Sequence, residues 1–277
     1  MTRVDRLGWA AGDVLQAHGV RFGVRVSQPA HLSLVLARLP SGAAKERSPV
    51  VAEIFSLLGG GPGPRPGLKR FHIAYRGFRM IARSHDLPAV LNALDSEMRL
   101  FVAEHAPRRI FVHAGVVAWR GRALLLPGTS HAGKSSLVEA LVRAGAHYCS
   151  DEYAVLDGRG RVHPFLSSLS LRKSDDKGAT RIEARSLRSA SRQASFPVSL
   201  VVMSRYRKGS RFMPRLLTQG HGVLALLENT IPARRDPAAS LNVLARVTRG
   251  ARVMRGDRGE AAETARMLLD QMEGVLA

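Results

Sequence analysis

ALLLPGTSHAGKSS, residues 123–136, begins as a run of apolar residues and ends as a glycine loop. Within it, Gly128, Gly133, Lys134 and Ser135 match the pattern G-x-x-x-x-G-K-[ST], in which a loop wraps around phosphate groups. The apolar residues that precede the loop are typical of a buried strand. Backbone amides of such a loop point at a phosphate, and the helix that follows favours negative charge at its first turn. The stretch therefore predicts a P-loop that binds the phosphates of a nucleotide.

The residues that follow the loop supply the frame that a P-loop requires. Residues 135–144 predict a helix, because their apolar side chains recur at helical spacing and Gly145 can end it. Residues 146–150 predict a further strand, which delivers Asp151 and Glu152 at its carboxyl end. A strand, a glycine loop, a helix and a second strand form a βαβ-type unit. The pattern match is therefore supported by its context on both sides.

Each part of the loop has a chemical role in this interpretation. Lys134 would neutralise the β- and γ-phosphates of ATP, and the Ser135 hydroxyl would ligate the Mg²⁺ that bridges them. His131 has two readings: an exposed, incidental residue, or a hydrogen-bond donor to phosphate when its imidazole is protonated. The residues expected to hold ATP are Gly128, Thr129, Ser130, His131, Ala132, Gly133, Lys134, Ser135 and Ser136.

Three segments resemble a known family of kinases. Residues 113–117 (HAGVV), the loop at 128–135 and residues 150–152 (SDE) resemble the catalytic domain of the HPr serine kinase/phosphorylase family, most closely its short HPr-kinase-related members. The family has a histidine fifteen residues before the first loop glycine and an acidic pair that begins seventeen residues after the loop lysine. Both distances are the same in this chain. The resemblance covers residues 107–206 well and the preceding part only in outline.

The resemblance implies roles for individual residues. Asp151 is the expected base, which accepts the proton of the attacking serine hydroxyl. His113 would orient or polarise Asp151, and Arg172 would stabilise charge on the transferred group. Glu152 stands where the family usually has a second aspartate and would assist the metal. The expected Mg²⁺ ligands are therefore Ser135, Asp151 and Glu152.

The length of the chain allows one sizeable α/β domain and a smaller appendage, because single cores stop growing at roughly 250–300 residues. We expect an α/β fold in which residues 107–277 form an HPr-kinase-like P-loop catalytic domain. Residues 1–106 would form a smaller N-terminal α+β part whose role the sequence does not indicate.

Local patterns predict the elements of the first part. Residues 50–58 favour a short helix that ends at a run of glycines and prolines. Residues 71–82 favour a hairpin of two strands. A helix should then begin at Asp86, whose side chain can cap it, with Pro88 in the first turn, and end near His105.

The second part is predicted from the same kinds of pattern. Residues 110–112 and 115–119 are strand-like, and residues 198–203 are a clear strand. Residues 173–196 are polar and weakly patterned, which favours a mobile loop. The remainder of the chain is expected to be helical, with residues 261–276 as the best amphipathic segment.

Composition limits the classes of function. Lys and Arg number 42 against 22 Asp and Glu, a net charge of +20 that attracts polyanions or is simply solvated. The sequence has no helix-turn-helix, no RNP-like aromatic pair and no basic stripe, so no specific nucleic-acid partner is expected. Cys149 is the single cysteine, which excludes an intramolecular disulfide. No stretch approaches the ~18 apolar residues of a membrane span, so we expect a cytoplasmic protein without a membrane partner.

These observations converge on an ATP- and Mg²⁺-dependent kinase. We expect it to transfer the γ-phosphoryl group to a serine hydroxyl of a protein or peptide, and an acidic acceptor would suit the basic chain. Two alternatives remain open: a kinase for a small molecule or a peptide natural-product precursor, and a non-catalytic nucleotide-binding regulatory module. Assembly into a homo-oligomer is compatible with each of these functions.

Overall fold

A computed structural model describes residues 3–63, 65, 67–128, 133–172 and 179–274. For residues 170–172, 179–181 and 185 it describes the backbone alone. The chain divides into two compact units, Met1–Pro107 and Arg108–Ala277. Both combine strands and helices, so the expected α/β class is confirmed.

The first unit is built on a six-stranded sheet in the order β3-β1-β2-β4-β7-β8. Helix α2 packs its apolar stripe in the core of this unit. The strands are β1 (Ala11–Ala17), β2 (Val20–Val26), β3 (Ala44–Lys45), β4 (Glu53–Leu58), β5 (Gly61–Pro62), β6 (Lys69–Arg70), β7 (His72–Arg76) and β8 (Arg79–Ser84), and the helices are α1 (Ala30–Leu36) and α2 (Leu87–His105).

The helix predicted at residues 50–58 is wrong, because this segment contains strand β4. β4 lies inside the sheet, parallel to β2 and antiparallel to β7. Phe55 and Leu57 enter the core, while Ser56 accepts a hydrogen bond of 2.8 Å from Arg25 Nε. A short apolar run has no diagnostic period when it is buried on both faces, which is why the pattern misled.

The other predictions for this unit agree with the structure. The hairpin at residues 71–82 is confirmed as β7 and β8. The helix before His105 is confirmed, and Asp86 occupies its N-cap position with proline in the first turn. The Asp86 side chain makes no capping hydrogen bond, however, so that detail of the prediction is wrong.

The second unit is built on an eight-stranded sheet, in which β10, β16 and β18 run parallel to one another. β10 lies between β16 and the antiparallel β9. The strands of the unit are β9 (Ile110–Trp119), β10 (Arg122–Pro127), β11 (His147–Ser150), β12 (Tyr153–Leu156), β13 (Arg161–His163), β14 (Leu169–Arg172), β15 (Ala179–Ile182), β16 (Phe196–Tyr206), β17 (Arg215–Leu216) and β18 (Arg252–Arg258); β14 and β15 form a separate two-stranded sheet. The helices are α3 (Lys134–Arg143), α4 (Gln219–Leu227), α5 (Pro237–Gly250) and α6 (Ala261–Glu273).

Successive side chains of these strands point to opposite faces of the sheet, and helices pack on both faces to form two cores. In β10, Leu124 and Leu126 pack with α3 and α6, whereas Leu125 packs with α4 and α5. The carboxyl ends of β10, β16 and β18 therefore meet at one edge between two helical layers. Ligands of open α/β sheets bind at such an edge.

Strand β9 changes partners along its length, and this change positions the site. Its first half pairs with β12, up to the register His113↔Tyr153. Its second half pairs with β10, from the register Ala114↔Pro127 onward. His113 thus lies next to both the end of β10 and the turn between β11 and β12. The two separate strands predicted at residues 110–112 and 115–119 are one continuous strand.

Two predictions for the C-terminal part need correction. The region after residue 206 is not all helical, because β17 and β18 complete the sheet. Residues 173–178 lie outside the described part of the chain, but residues 179–182 form β15 and Ala184–Ser186 form a 3-10 helix. The predicted strand at residues 198–203 and the helix at the C-terminal end are confirmed as β16 and α6.

Candidate nucleotide-binding site

The ends of the glycine loop are fixed by the sheet and by α3. Gly128 follows β10, and its amide donates to the carbonyl of His113 over 3.3 Å. Gly133 caps α3 in the left-handed region, with φ of 76°. The intervening residues Thr129, Ser130, His131 and Ala132 lie outside the described residues. The described ends have the strand-to-helix arrangement that a phosphate-binding loop needs.

Lys134 reaches back across the start of the loop. Its Nζ donates to the Gly128 carbonyl over 2.6 Å and lies 3.4 Å from His113 Nε2. Burial lowers the pKa of Lys134, and the charge of Asp151 opposes this shift. The ammonium group is therefore held at the mouth of the loop, where a phosphate could replace its carbonyl contact.

Ser135 and Asp151 form the second contact of the site. The Ser135 hydroxyl donates to Asp151 Oδ2 over 2.8 Å. A hydroxyl and a carboxylate are the oxygen ligands that Mg²⁺ prefers, and it usually keeps several waters and phosphate oxygens as well. These two side chains fit a magnesium ion bound beside a nucleotide. Among the described residues, no group of three or more His, Cys, Asp or Glu could hold a metal.

His113 is fixed in one tautomer by its two neighbours. Its Nδ1 lies 2.9 Å from the Glu152 carbonyl oxygen, so Nδ1 carries the proton. Nε2 is then an acceptor that faces Lys134. Burial lowers the pKa of His113, and the nearby Lys134 charge lowers it further. The imidazole is therefore neutral at pH 7. The described partners of its ring nitrogens are Glu152 and Lys134, and its ring also packs edge-on against Tyr153; the expected orientation of Asp151 by His113 stays a prediction.

The turn that carries Asp151 is held by hydrogen bonds on both sides. The buried Ser150 hydroxyl accepts from the amides of Glu152, over 3.1 Å, and Tyr153, over 3.0 Å. The Glu152 carbonyl accepts from Ala114 as well as from His113. Glu152 thus contributes backbone contacts here, in addition to the metal role expected of its carboxylate.

Two further expected residues lie at different distances from this cluster. Ser136 is exposed on the first turn of α3, next to Ser135. Arg172 is the last residue of β14, where its backbone pairs with Ala179. The side chain of Arg172 lies outside the described part of the structure, so its expected role stays a prediction.

Arg258 is a candidate that the sequence did not reveal. It ends β18, is only 2% exposed, and donates to the Gly133 carbonyl over 2.7 Å and to the Gly259 carbonyl over 2.8 Å. Burial lowers the pKa of Arg258, and Glu260 opposes that shift. A guanidinium keeps its proton even so. A permanent positive charge therefore lies directly beneath the start of α3.

A cavity of about 680 Å³ opens beside Gly128 on the α4 side of the sheet. Its walls come from the carboxyl ends of β10, β16 and β18 and from the end of α4. Three arginines line it: Arg205, Arg215 and Arg255. The cavity therefore adjoins the mouth of the glycine loop and has a basic lining.

Comparisons with known proteins give no independent identification. A scan against models of protein families finds none that matches this chain, and a search of curated proteins finds no match either. Among the described residues, no helix has the length and apolar character needed to cross a membrane.

Proposed function

We propose that this protein is an ATP- and Mg²⁺-dependent kinase that phosphorylates a serine hydroxyl of a protein or peptide. The observation that carries the proposal is the convergence of Lys134, Ser135, Asp151 and His113 around the ends of one glycine loop. The loop pattern and the resemblance to the HPr serine kinase/phosphorylase family, with its spacing of His113 and Asp151, support the same reaction. A P-loop core of that family is part of this proposal.

The proposed transfer needs positioning and charge compensation more than covalent chemistry. The serine Oγ forms a bond to the γ-phosphorus, and the bond from that phosphorus to the β,γ-bridging oxygen breaks. ADP leaves with that electron pair, and the hydroxyl proton passes to the Asp151 carboxylate. Lys134 balances charge on the β- and γ-phosphates. Ser135 and Asp151, with Glu152 assisting, would hold a magnesium ion, which would supply further positive charge to the phosphate oxygens.

The neutral His113 has a supporting role in this scheme. Its Nε2 accepts from Lys134 and its Nδ1 donates to the turn that carries Asp151. The imidazole thereby holds the lysine and the carboxylate at a fixed separation without adding a second positive charge. His113 is a positioning residue, because its described contacts are with the groups that act rather than with the reacting atoms.

Substitution of the loop lysine tests the proposal. Lys134→Ala should remove most ATP affinity and turnover while leaving the fold intact, because the Lys134 ammonium is expected to neutralise the β- and γ-phosphates. Lys69→Ala, at an exposed position of β6, is a matched control. ATP binding is measured by calorimetry, and transfer by incubation with labelled ATP, Mg²⁺ and lysate of the native host. Parental turnover by a well-folded Lys134→Ala variant would exclude the loop as the active site.

A further inference from the structure

A groove runs away from the glycine loop on the α4 side of the second unit. It consists of the cavity beside Gly128 and a second cavity of about 390 Å³. The two cavities share Arg215, Ala225, Glu228 and Arg255 in their walls, so they adjoin. We call this the acceptor groove. Its extent beyond the first cavity suits an extended chain better than a compact small molecule.

Two arginines stand directly opposite each other in the middle of the acceptor groove. Arg215 and Arg255 are register partners in the antiparallel pair β17 and β18, and both are exposed. Like charges in such cross-strand pairs are destabilising. Within the described part of the chain, neither arginine forms an ion pair with a carboxylate. An anion bound between them would relieve their repulsion.

The remaining charges leave this part of the groove positive. Asp257 lies 3.4 Å from Arg205 and 3.6 Å from Arg207, so its charge is already compensated. Glu228 is the other carboxylate among the described lining residues of the two cavities. It lines the same two cavities as Arg215 and Arg255, so one carboxylate stands against two guanidinium groups and the pair keeps an excess of positive charge. The complementary ligand is an anionic group, and in a peptide that group is the carboxylate of Asp or Glu.

Apolar side chains flank the arginine pair. Met213 is 83% exposed, Leu216 is 68% exposed and Leu224 is 57% exposed, and all three line the groove. A single exposed apolar residue is ordinary, but several along one groove mark an interaction site. A groove lined by both arginine and apolar side chains matches a peptide that contains both acidic and apolar residues.

We propose that the acceptor groove binds an acidic peptide segment of the substrate, with the Arg215 and Arg255 pair receiving a carboxylate side chain near the serine to be phosphorylated. The inference rests on the proposed kinase function, because Gly128 at one end of the groove belongs to the glycine loop. The groove adds binding and orientation, and the chemical step remains the transfer described above.

The test uses a peptide library centred on serine, with randomised flanking positions, together with labelled ATP and Mg²⁺. The full-length protein should prefer Asp or Glu over Lys at one or more flanking positions by about tenfold or more, because only an acidic side chain accepts charged hydrogen bonds from the arginine pair. The double variant Arg215→Gln with Arg255→Gln should lose most of this preference. The reversed pair, Arg215→Glu with Arg255→Glu, should favour Lys at the same positions.

The matched control replaces Arg249 and Arg252 by Gln. Both are exposed arginines outside the two cavities, so this variant loses the same net charge and should keep the acidic preference. Absence of an acidic preference in the parent, or its persistence in the Arg215 and Arg255 variants, would overturn the inference. Nucleotide binding that depends on Lys134, without phosphorylation of any peptide, would also overturn it. Failure to bind ATP at all would instead overturn the proposed function.

Discussion

Two arginines, one in each unit, each lie against an aromatic ring but differ in whether carboxylates compensate their charge. In the first unit, Arg76 lies over the Phe101 ring and contacts three carboxylates: Glu53 at 3.4 Å, Glu97 at 3.1 Å and Glu104 at 3.6 Å. Burial opposes its charge, but Glu97 and the other two carboxylates outweigh burial and raise the pKa of Arg76. The positive charge of Arg76 is therefore compensated by carboxylates within the first unit.

Arg258 in the second unit is more deeply buried, yet its described hydrogen bonds go to two backbone carbonyls. Its ring neighbour is Tyr206, and Tyr206 in turn donates to Glu260. A buried charge without a hydrogen-bonded counterion is costly. The contrast teaches that the first unit uses its arginine for stability, whereas the second retains positive charge beneath a loop suited to phosphate.

The largest expected effect concerns the phosphoryl transfer that we propose for the second unit. Asp151→Asn keeps the shape of the side chain but removes the proton acceptor, so transfer should fall by about 10²–10⁴-fold with near-normal ATP affinity. Glu152→Gln should instead raise the Mg²⁺ concentration required and retain appreciable transfer at saturation. The measurement is transfer rate against Mg²⁺ for both variants. Parental transfer by Asp151→Asn would limit the acidic pair to a structural or metal-binding role.

A crossed pair of substitutions tests the contrast directly. Arg258→Met should weaken ATP binding by about tenfold, because the Gly133 carbonyl loses its charged donor and the loop loses a positive charge. Arg76→Met should leave ATP affinity unchanged and lower the free energy of unfolding by about 1–3 kcal/mol, between the values for exposed and buried ion pairs. Calorimetry with ATP and denaturant titration should be applied to both variants. The contrast fails if Arg76→Met weakens ATP binding as much as Arg258→Met does.

Two glycines with nearly equal φ angles allow the effect of backbone strain to be distinguished from the effect of contact with Arg258. Gly133 has φ of 76° and Gly121 has φ of 78°, so alanine costs roughly 1–2 kcal/mol of backbone strain at either position. A Cβ on Gly133 would lie 2.5 Å from Arg258 Nη2, whereas a Cβ on Gly121 would have no atom within 4 Å. Gly133→Ala should therefore weaken ATP binding several-fold, and Gly121→Ala should only lower stability. Equal ATP affinities in the two variants would mean that the Arg258 contact is unimportant for the loop.

The smallest effect is a pH dependence of stability. The pKa of His113 is lowered in the folded protein, so the unfolded chain binds more protons once the pH falls below about 6.5. The contribution of His113 to the free energy of unfolding is thus fully present above that pH. It is lost as the pH falls toward the pKa of His113 in the folded protein. His113→Asn should flatten the acid side of the stability curve from pH 7.5 to 5. An identical slope in the variant would show that His113 titrates as in the unfolded chain.

Local and strongly patterned segments were predicted well from the sequence. β10 and α3 agree with expectation because an apolar strand and a periodic helix are specified by adjacent residues. β18 was missed because it contains only two consecutive buried apolar residues, Val253 and Met254, between arginines and Gly256. Glycines at 250 and 259 bracket this segment and are the signal that could have indicated a strand.

The parts of the site that escaped prediction depend on contacts between distant positions. Arg258 and Gly133 are 125 residues apart, and no spacing rule brings them together. Arg215 and Arg255 likewise become neighbours only through the register of β17 against β18. One arginine among many carries no pattern of its own, so only tertiary structure sets these three apart from the other arginines of the chain.

The ring of paired strands in the second unit affects where its backbone opens locally. β10, β9, β12, β13 and β16 are hydrogen bonded in a ring, because β16 also pairs with β10. Where a strand of this ring is hydrogen bonded on both sides, as β10 is to β9 and β16, its amides should exchange with deuterium only in rare openings. β17, by contrast, is a two-residue strand at the rim of the sheet. The Gly128 end of the groove thus adjoins slowly exchanging backbone, while Arg215 lies on the short outer strand that should open most readily.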